Sequence, residues 1–290
     1  MRAPSCGSRS LRNNWTMSFH SIRTIALQEL TVNIRNRWTM IFACVFSVLV
    51  LAISYFGLVT AGAIGFQGFA RTSASLLNLV LYIIPLVALT MGTLSFTSDA
   101  NANEFLYSQP VLRVEVMLGK LVGLFASIII STFVGFGLAG VIIGVKAGAD
   151  GASRYPILVA FSLVLALIFL NLSALISAIC KRKTKAFGLS VLVWFFFVLF
   201  YDLLVIGAAI LYKGANALIF GSLFGNPVEI VRVGCLMLLD GRDVFGAAGA
   251  SLLKFAGGEA TSLVVLAVTL AFWIVVPALL AHMFLRRQDM

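Results

Sequence analysis

Charge is what this sequence has least of. Only 11% of its 290 residues are Asp, Glu, Lys or Arg, where soluble domains carry about a quarter. Acid is scarcer than base, with 11 Asp+Glu against 21 Lys+Arg. Histidine occurs twice, as His20 and His282 at opposite ends of the chain. The four cysteines, Cys6, Cys44, Cys180 and Cys235, stand singly and form no CxxC. No zinc or copper site can be assembled from that set, so no metal site is expected in this chain. The pattern GxxxxGK[ST] is missing: the only Gly-Lys pair, Gly119-Lys120, runs on into Leu121, and the chain holds no nucleotide by a P-loop. HExxH, GxSxG and a carboxylate pair on one soluble face are missing too, which speaks against a hydrolase. The basic excess comes without a basic-aromatic surface or a binding motif, so no nucleic-acid partner is expected.

What is present in quantity is apolar surface. Hydrophobic residues make up 61% of the chain, and mean hydropathy is +1.05. Such a composition excludes a soluble globular enzyme and excludes disorder; it predicts an all-α polytopic membrane protein. Six runs are long enough to cross a bilayer, near 38–61, 74–97, 118–145, 157–180, 186–212 and 260–285. Residues 223–256 are also apolar, but Glu229, Arg232, Asp240, Arg242, Asp243 and Lys254 interrupt them, which predicts a folded or interfacial loop instead of a seventh span. Residues 1–16 are polar and lack the apolar region of a signal peptide. They are read as a flexible tail ahead of Met17, with one membrane domain over 17–290. Phe19, Ile22, Ala26, Leu30 and Ile34 recur at helical spacing over 19–37, predicting an amphipathic helix that lies in the interface plane.

Orientation follows from the basic residues. With the N-terminus inside, 14 of the 21 Lys and Arg residues fall on the cytoplasmic side, and Lys181-Arg182-Lys183-Thr184-Lys185 and Arg286-Arg287 anchor the middle and the tail there. Both termini are then cytoplasmic, as an even number of spans requires. No internal or inverted repeat is visible, which weighs against a secondary transporter.

Inside the membrane, Gly119, Gly123, Ser127, Ser131, Gly135 and Ala139 recur every four positions, with Gly140 and Gly144 beside them. Small residues let helix backbones approach closely; the neighbour is either in the same chain or in a second copy. Pro85 and Pro277 lie inside spans and are expected to kink them. Asp202 is the one charge well inside a span, and a carboxylate there must be paired, protonated or facing water. It is either a gate or cargo contact, or a structural residue held by Tyr or backbone donors.

Two connecting segments carry further signals. Residues 98–117, between the second and third spans, can form a short helix from Glu104 to Ser108, with Pro110 in the first turn of the next. That is the shape of a compact element able to dock on a soluble partner, or of an ordinary connector. Further on, Asn226-Pro227 is a helix-entry signal in which Asn caps and Pro takes the first turn. Glu229 and Arg232 then share one helical face and can pair.

Ile25-Ala26 through Glu29-Leu30 with Arg35-Asn36-Arg37-Trp38, Leu106 to Val111 with Leu118-Gly119-Lys120, Trp194-Phe195-Phe196-Phe197-Val198 with Asp202-Leu203, and Asn226-Pro227-Val228-Glu229 with Arg232 occur in an order that resembles the permease subunits of type 2 ABC exporters. Within that class the chain is most similar to the permeases that serve nitrous oxide reductase maturation. The four pieces extend over most of the chain from Met17; Glu229 stands where those permeases are expected to carry Asp. The resemblance implies six spans with an N-terminal interfacial helix and a cytoplasmic coupling helix, in a bacterial inner membrane. It implies a homodimer bound to two copies of a cytoplasmic ABC ATPase that binds the ATP, with no cofactor in this chain and no enzymatic activity of its own. It assigns ATPase coupling to Glu104, Leu106, Tyr107, Gln109, Pro110 and Arg113. Contact with a periplasmic maturation protein is assigned to Asn226, Pro227, Glu229 and Arg232, and the implied role is copper-centre assembly. A permease for a lipid, drug or peptide, a proton-coupled secondary transporter using Asp202, and a membrane anchor for periplasmic enzymes are the competing functions.

Overall fold

A backbone crossing hydrocarbon must satisfy its own hydrogen bonds, which leaves helices as the solution for long apolar runs. The computed structural model describes residues 19–60, 66–97, 113–180, 182–211, 215–239 and 256–287, together with Gly249, Leu252 and Leu253. Among the described residues there is no strand. The order is α1 (Phe19–Ile34), α2 (Arg37–Thr60), α3 (Phe66–Phe96), α4 (Arg113–Ile179) and α5 (Lys183–Phe195), then a π-helical segment (Phe196–Phe200), α6 (Tyr201–Leu211), α7 (Ala215–Gly225), α8 (Pro227–Leu238) and α9 (Glu259–Arg287). Six helical stretches are long and apolar enough to cross a membrane: Thr39–Phe56, Thr72–Phe96, Val114–Val141, Arg154–Ile179, Lys183–Leu211 and Glu259–Leu285. All-α architecture with six spans is therefore the fold.

The third and fourth spans are the two arms of α4, whose helical backbone continues through 142–153. Tyr155 Oη donates to Phe136 O at 3.0 Å across 19 residues, and the two rings meet edge to face at 5.8 Å. Along a straight helix those residues would stand about 28 Å apart, so the arms turn back on each other between them. They form the centre of the bundle with α3, and Leu76, Leu81, Ile84, Leu124, Ile128 and Phe169 are fully buried between them. The fifth and sixth spans are peripheral: 11% of each is buried, against 61% of the second arm of α4.

The small-residue stripe of the third span packs within the chain. A Cβ at Gly119 would stand 2.8 Å from Ile25 Cβ, one at Gly123 would stand 2.6 Å from Ala26 O, and one at Gly135 would stand 2.8 Å from the Phe46 ring. Thus α1 and α2 lie on successive parts of one glycine-cut groove, and the 16-residue α1, too short to span, is fixed against α4. Its packed side includes the middle of the apolar stripe, with Ile22, Ala26 and Leu30 half-buried beside Gly119 and Gly123. Ile25 and Asn33 are buried, while Phe19 and Ile34 at the ends of the stripe are exposed. The protein side needs close fit, which Gly119 and Gly123 provide.

Pro85 and Pro277, two of the three prolines within the spans, have the same kind of companion. A proline removes the helix bond to the carbonyl four residues before it, and the kink opens the adjoining turn. Trp194 Nε1 donates to Tyr82 O, three residues before Pro85, at 2.9 Å. Asn171 Nδ2 donates to Ile274 O, three residues before Pro277, at 3.0 Å. Each weak point is thus tied to a neighbouring span.

Candidate functional site

Two polar assemblies interrupt the apolar bundle. The first stands at the roots of the 98–112 connection. Thr97 follows α3 directly and Arg113 opens α4. Lys120 Nζ donates to Ser95 O at 2.7 Å. Ser95 Oγ in turn donates to Glu29 Oε1 at 2.6 Å, and Asn33 Nδ2 donates to the same oxygen at 2.8 Å. The end of α3, the start of α4 and the middle of α1 are therefore tied together by one chain of hydrogen bonds, three of whose members, Glu29, Asn33 and Lys120, are buried or half-buried. Glu29 reaches it because Gly123 lets α1 approach, its own Cβ lying against the Gly123 backbone. Glu104, Leu106, Tyr107, Gln109 and Pro110 lie outside the described residues, and Arg113 is the first residue of α4.

The second assembly is built by α7 and α8. Of the interrupted apolar stretch 223–256, α8 is folded into the protein more deeply than a surface loop, and Asp240, Arg242, Asp243 and Lys254 lie outside the described residues. Eight of the twelve residues of α8 are buried, among them Pro227, Val228, Ile230 and Val231. Asn226 caps α8 as its residue type suggests: Oδ1 accepts from Val228 N–H at 3.0 Å, with Pro227 in the first turn. Its Nδ2 donates to Phe197 O in the fifth span at 2.9 Å. Trp273 Nε1 donates to Phe224 O at 3.0 Å, and Tyr201 Oη donates to Ser222 O at 2.7 Å. The break between α7 and α8 is thereby held by the fifth and sixth spans.

Charge gathers at this break. Arg232 Nη1 bonds to Glu229 Oε1 one turn earlier, the pairing expected from their spacing of three. The same nitrogen lies 3.6 Å from Asp202 Oδ2. Asp202 is accordingly held by an arginine from α8, not by tyrosine or backbone donors; the neighbouring Tyr201 hydroxyl is committed to Ser222. The Asp202 side chain keeps 34% exposure, against 15% for Glu229. Burial pushes the Glu229 carboxyl above the usual carboxylate range, the adjacent Arg232 guanidinium opposes that, and Asp202 adds to it. Arg232 Nε is buried without a hydrogen-bond partner among the described residues. One guanidinium thus serves two carboxylates, a cluster of net negative charge. Asn226 and Pro227 are buried and directed inward, whereas Glu229 and Arg232 retain partial exposure.

The structure brings together Asp202, Asn226, Glu229 and Arg232, which the sequence separates into two groups. Sequence reasoning missed the Glu29, Asn33, Ser95 and Lys120 chain and the π-helical segment. Asn171, a lone amide inside an apolar run, was the one available signal for a cross-span tether. Among the described residues no group of three or more His, Cys, Asp or Glu could hold a metal ion.

The model of the "ABC-2 family transporter protein" family matches residues 23–290. The chain belongs to the ABC-2 transporter permease family. Two proteins similar to this permease carry the name "Probable ABC transporter permease protein NosY". That of Pseudomonas aeruginosa is 31% identical over 275 residues, 91% of this chain and 98% of its own length. That of Stutzerimonas stutzeri is 30% identical over 279 residues, 93% of this chain and 99% of its own. A permease of this family is the membrane subunit of a transporter and works with an ATPase subunit.

Proposed function

We propose that this permease belongs to an ATP-driven transporter that supports assembly of the copper centre of nitrous oxide reductase. The observation that carries the reading is similarity to NosY permeases along nearly the whole of both chains, added to the resemblance set out above. In this reading the permease sits in a bacterial inner membrane with both termini cytoplasmic. It pairs with a second copy and binds an ATPase through residues 98–117. The direct tie between the roots of that segment and α1 supports this route: a force applied to 98–112 meets Ser95 on one side and Lys120 on the other, and those two are bonded to each other. At the other end Glu229 and Arg232, partly exposed on α8, are the positions for a periplasmic maturation protein. Asp202 acts as a charged contact or gate.

The test is genetic and chemical together. Removing the permease should leave nitrous oxide reductase present but deficient in copper, with activity restored by the intact gene. Asp202→Asn should assemble with the ATPase and fail to restore the copper centre. Normal copper content without the permease would assign it another cargo, such as a lipid, drug or peptide.

A further inference from the structure

The fifth span changes helical form next to its only acid. From Phe196 to Phe200 the backbone is π-helical, reaching five residues back instead of four. At its end Tyr201 N–H bonds to Phe196 O. In an uninterrupted α-helix that donor would serve Phe197 O, which is therefore left without its backbone partner. Asn226 Nδ2 fills the vacancy at 2.9 Å. Asn226 is fully buried, and its other polar atom caps α8. One side chain therefore joins the irregular turn of the fifth span to the break between α7 and α8.

A π segment is one extra residue in an α-helix, and each residue turns the helix by about 100°. Everything after Phe200 is accordingly rotated by that angle relative to an uninterrupted span. The first two residues affected are Tyr201 and Asp202. In the rotated register Tyr201 reaches Ser222 O and Asp202 reaches Arg232. Both contacts end on the α7–α8 pair, as does the Asn226 bond that holds the register.

The geometry points to Asn226 as a positioning residue that fixes the π register and so keeps Asp202 on Arg232, with slippage of that register as the movement that parts the fifth span from α7 and α8 during transport. The proposal deepens the transport reading above and rests on it for the ATP-driven cycle. Loss of the Asn226 bond frees Phe197 O, lets the extra residue migrate along the span, and turns Asp202 away from Arg232. The Phe196, Phe197 and Tyr201 rings stack edge to face along this stretch, so migration exchanges one aromatic contact for another.

Hydrogen exchange on the permease bound to its ATPase tests this. Asn226→Ser keeps a residue able to cap α8 but too short to reach Phe197. Without nucleotide, amides 201–205 should exchange roughly five- to tenfold faster, as expected for the loss of one buried hydrogen bond, while α8 is unchanged. Unchanged exchange at 201–205, or equal acceleration in α8, overturns the positioning role. The second variant deletes Leu199, an exposed residue of the segment, which removes the extra residue and leaves Asp202 on the Arg232 side. The deleted form should hydrolyse ATP yet lose the ATP-dependent change in exchange across 196–205 that the unaltered complex shows. Retention of that change, or its absence from an unaltered complex that hydrolyses ATP, overturns the slip while leaving the transport reading intact. If the deletion fails to assemble, the Asn226→Ser complex decides the same point: its ATP-dependent change should be diminished, and a full-sized change contradicts the slip.

Discussion

Arg232 holds two carboxylates at once, and its removal would leave them facing each other. Arg232→Met should destabilise the permease more than Asp202→Asn, since the latter leaves the Arg232–Glu229 pair in place. The loss should fall below the ~3–5 kcal/mol of a fully buried pair, because these side chains keep between 15% and 34% exposure. Thermal unfolding of the two variants in the same detergent ranks them, and equal midpoints would contradict the shared-arginine geometry. A second contrast lies in the glycines of the third span. A Cβ at Gly123 meets the Ala26 carbonyl, whereas one at Gly137 meets nothing within 4 Å. Gly123→Ala should cost about 1–3 kcal/mol by forcing α1 away, and Gly137→Ala should be neutral or slightly stabilising; the same melting measurement checks both. Some of this was legible residue by residue. Asn226 and Pro227 announce a helix start, and Glu229 and Arg232 a pair, because those rules act within one turn. The partner of Asp202 was not legible, because it lies 30 residues away on an element whose position only the fold defines.

Elements of this protein show why hydropathy locates spans but not their packed sides. In water an apolar stripe faces the core. In lipid the surroundings are as apolar as the interior, so packing is directed by fit and hydrogen bonding. On α1 the exposed positions include Phe19, Leu27, Val32 and Ile34, and the buried ones are Ile25 and Asn33. Similarly, nothing in Phe195-Phe196-Phe197-Val198 marks a π segment, and the carbonyl it leaves open is bonded by Asn226, 29 residues away in the chain. Six spans were legible, whereas the continuity of the third and fourth as one helix was not. The proposed orientation is tested at the fifth span, Lys183–Leu211. Reporters fused after Lys185 and after Gly214 should report opposite sides, and same-side signals would remove that crossing.

At the scale of the whole molecule, the bundle has a well-buried centre, α3 with the two arms of α4, and two lightly buried spans at its edge. The centre carries the roots of 98–112, and the edge carries Asp202 and the tethers to α7 and α8. Such a division suits a machine in which a push at residues 98–112 moves the peripheral spans. The number of spans could be read from composition; the separate ATPase was implied by the resemblance to ABC exporter permeases, since the missing P-loop excludes only a nucleotide site of that kind in this chain. The division into centre and edge could not be read, because it depends on which helices touch. In the proposed function a separate ATPase docks on residues 98–117. Its most direct test is recovery of the affinity-tagged permease from membranes that also contain the ATPase, with the molar ratio of the two subunits measured for the native chain and for Glu104→Lys. One ATPase per native chain is expected, with loss of the ATPase from the variant at unchanged membrane level; an equal ratio in both would show that the ATPase does not dock through Glu104 and its segment.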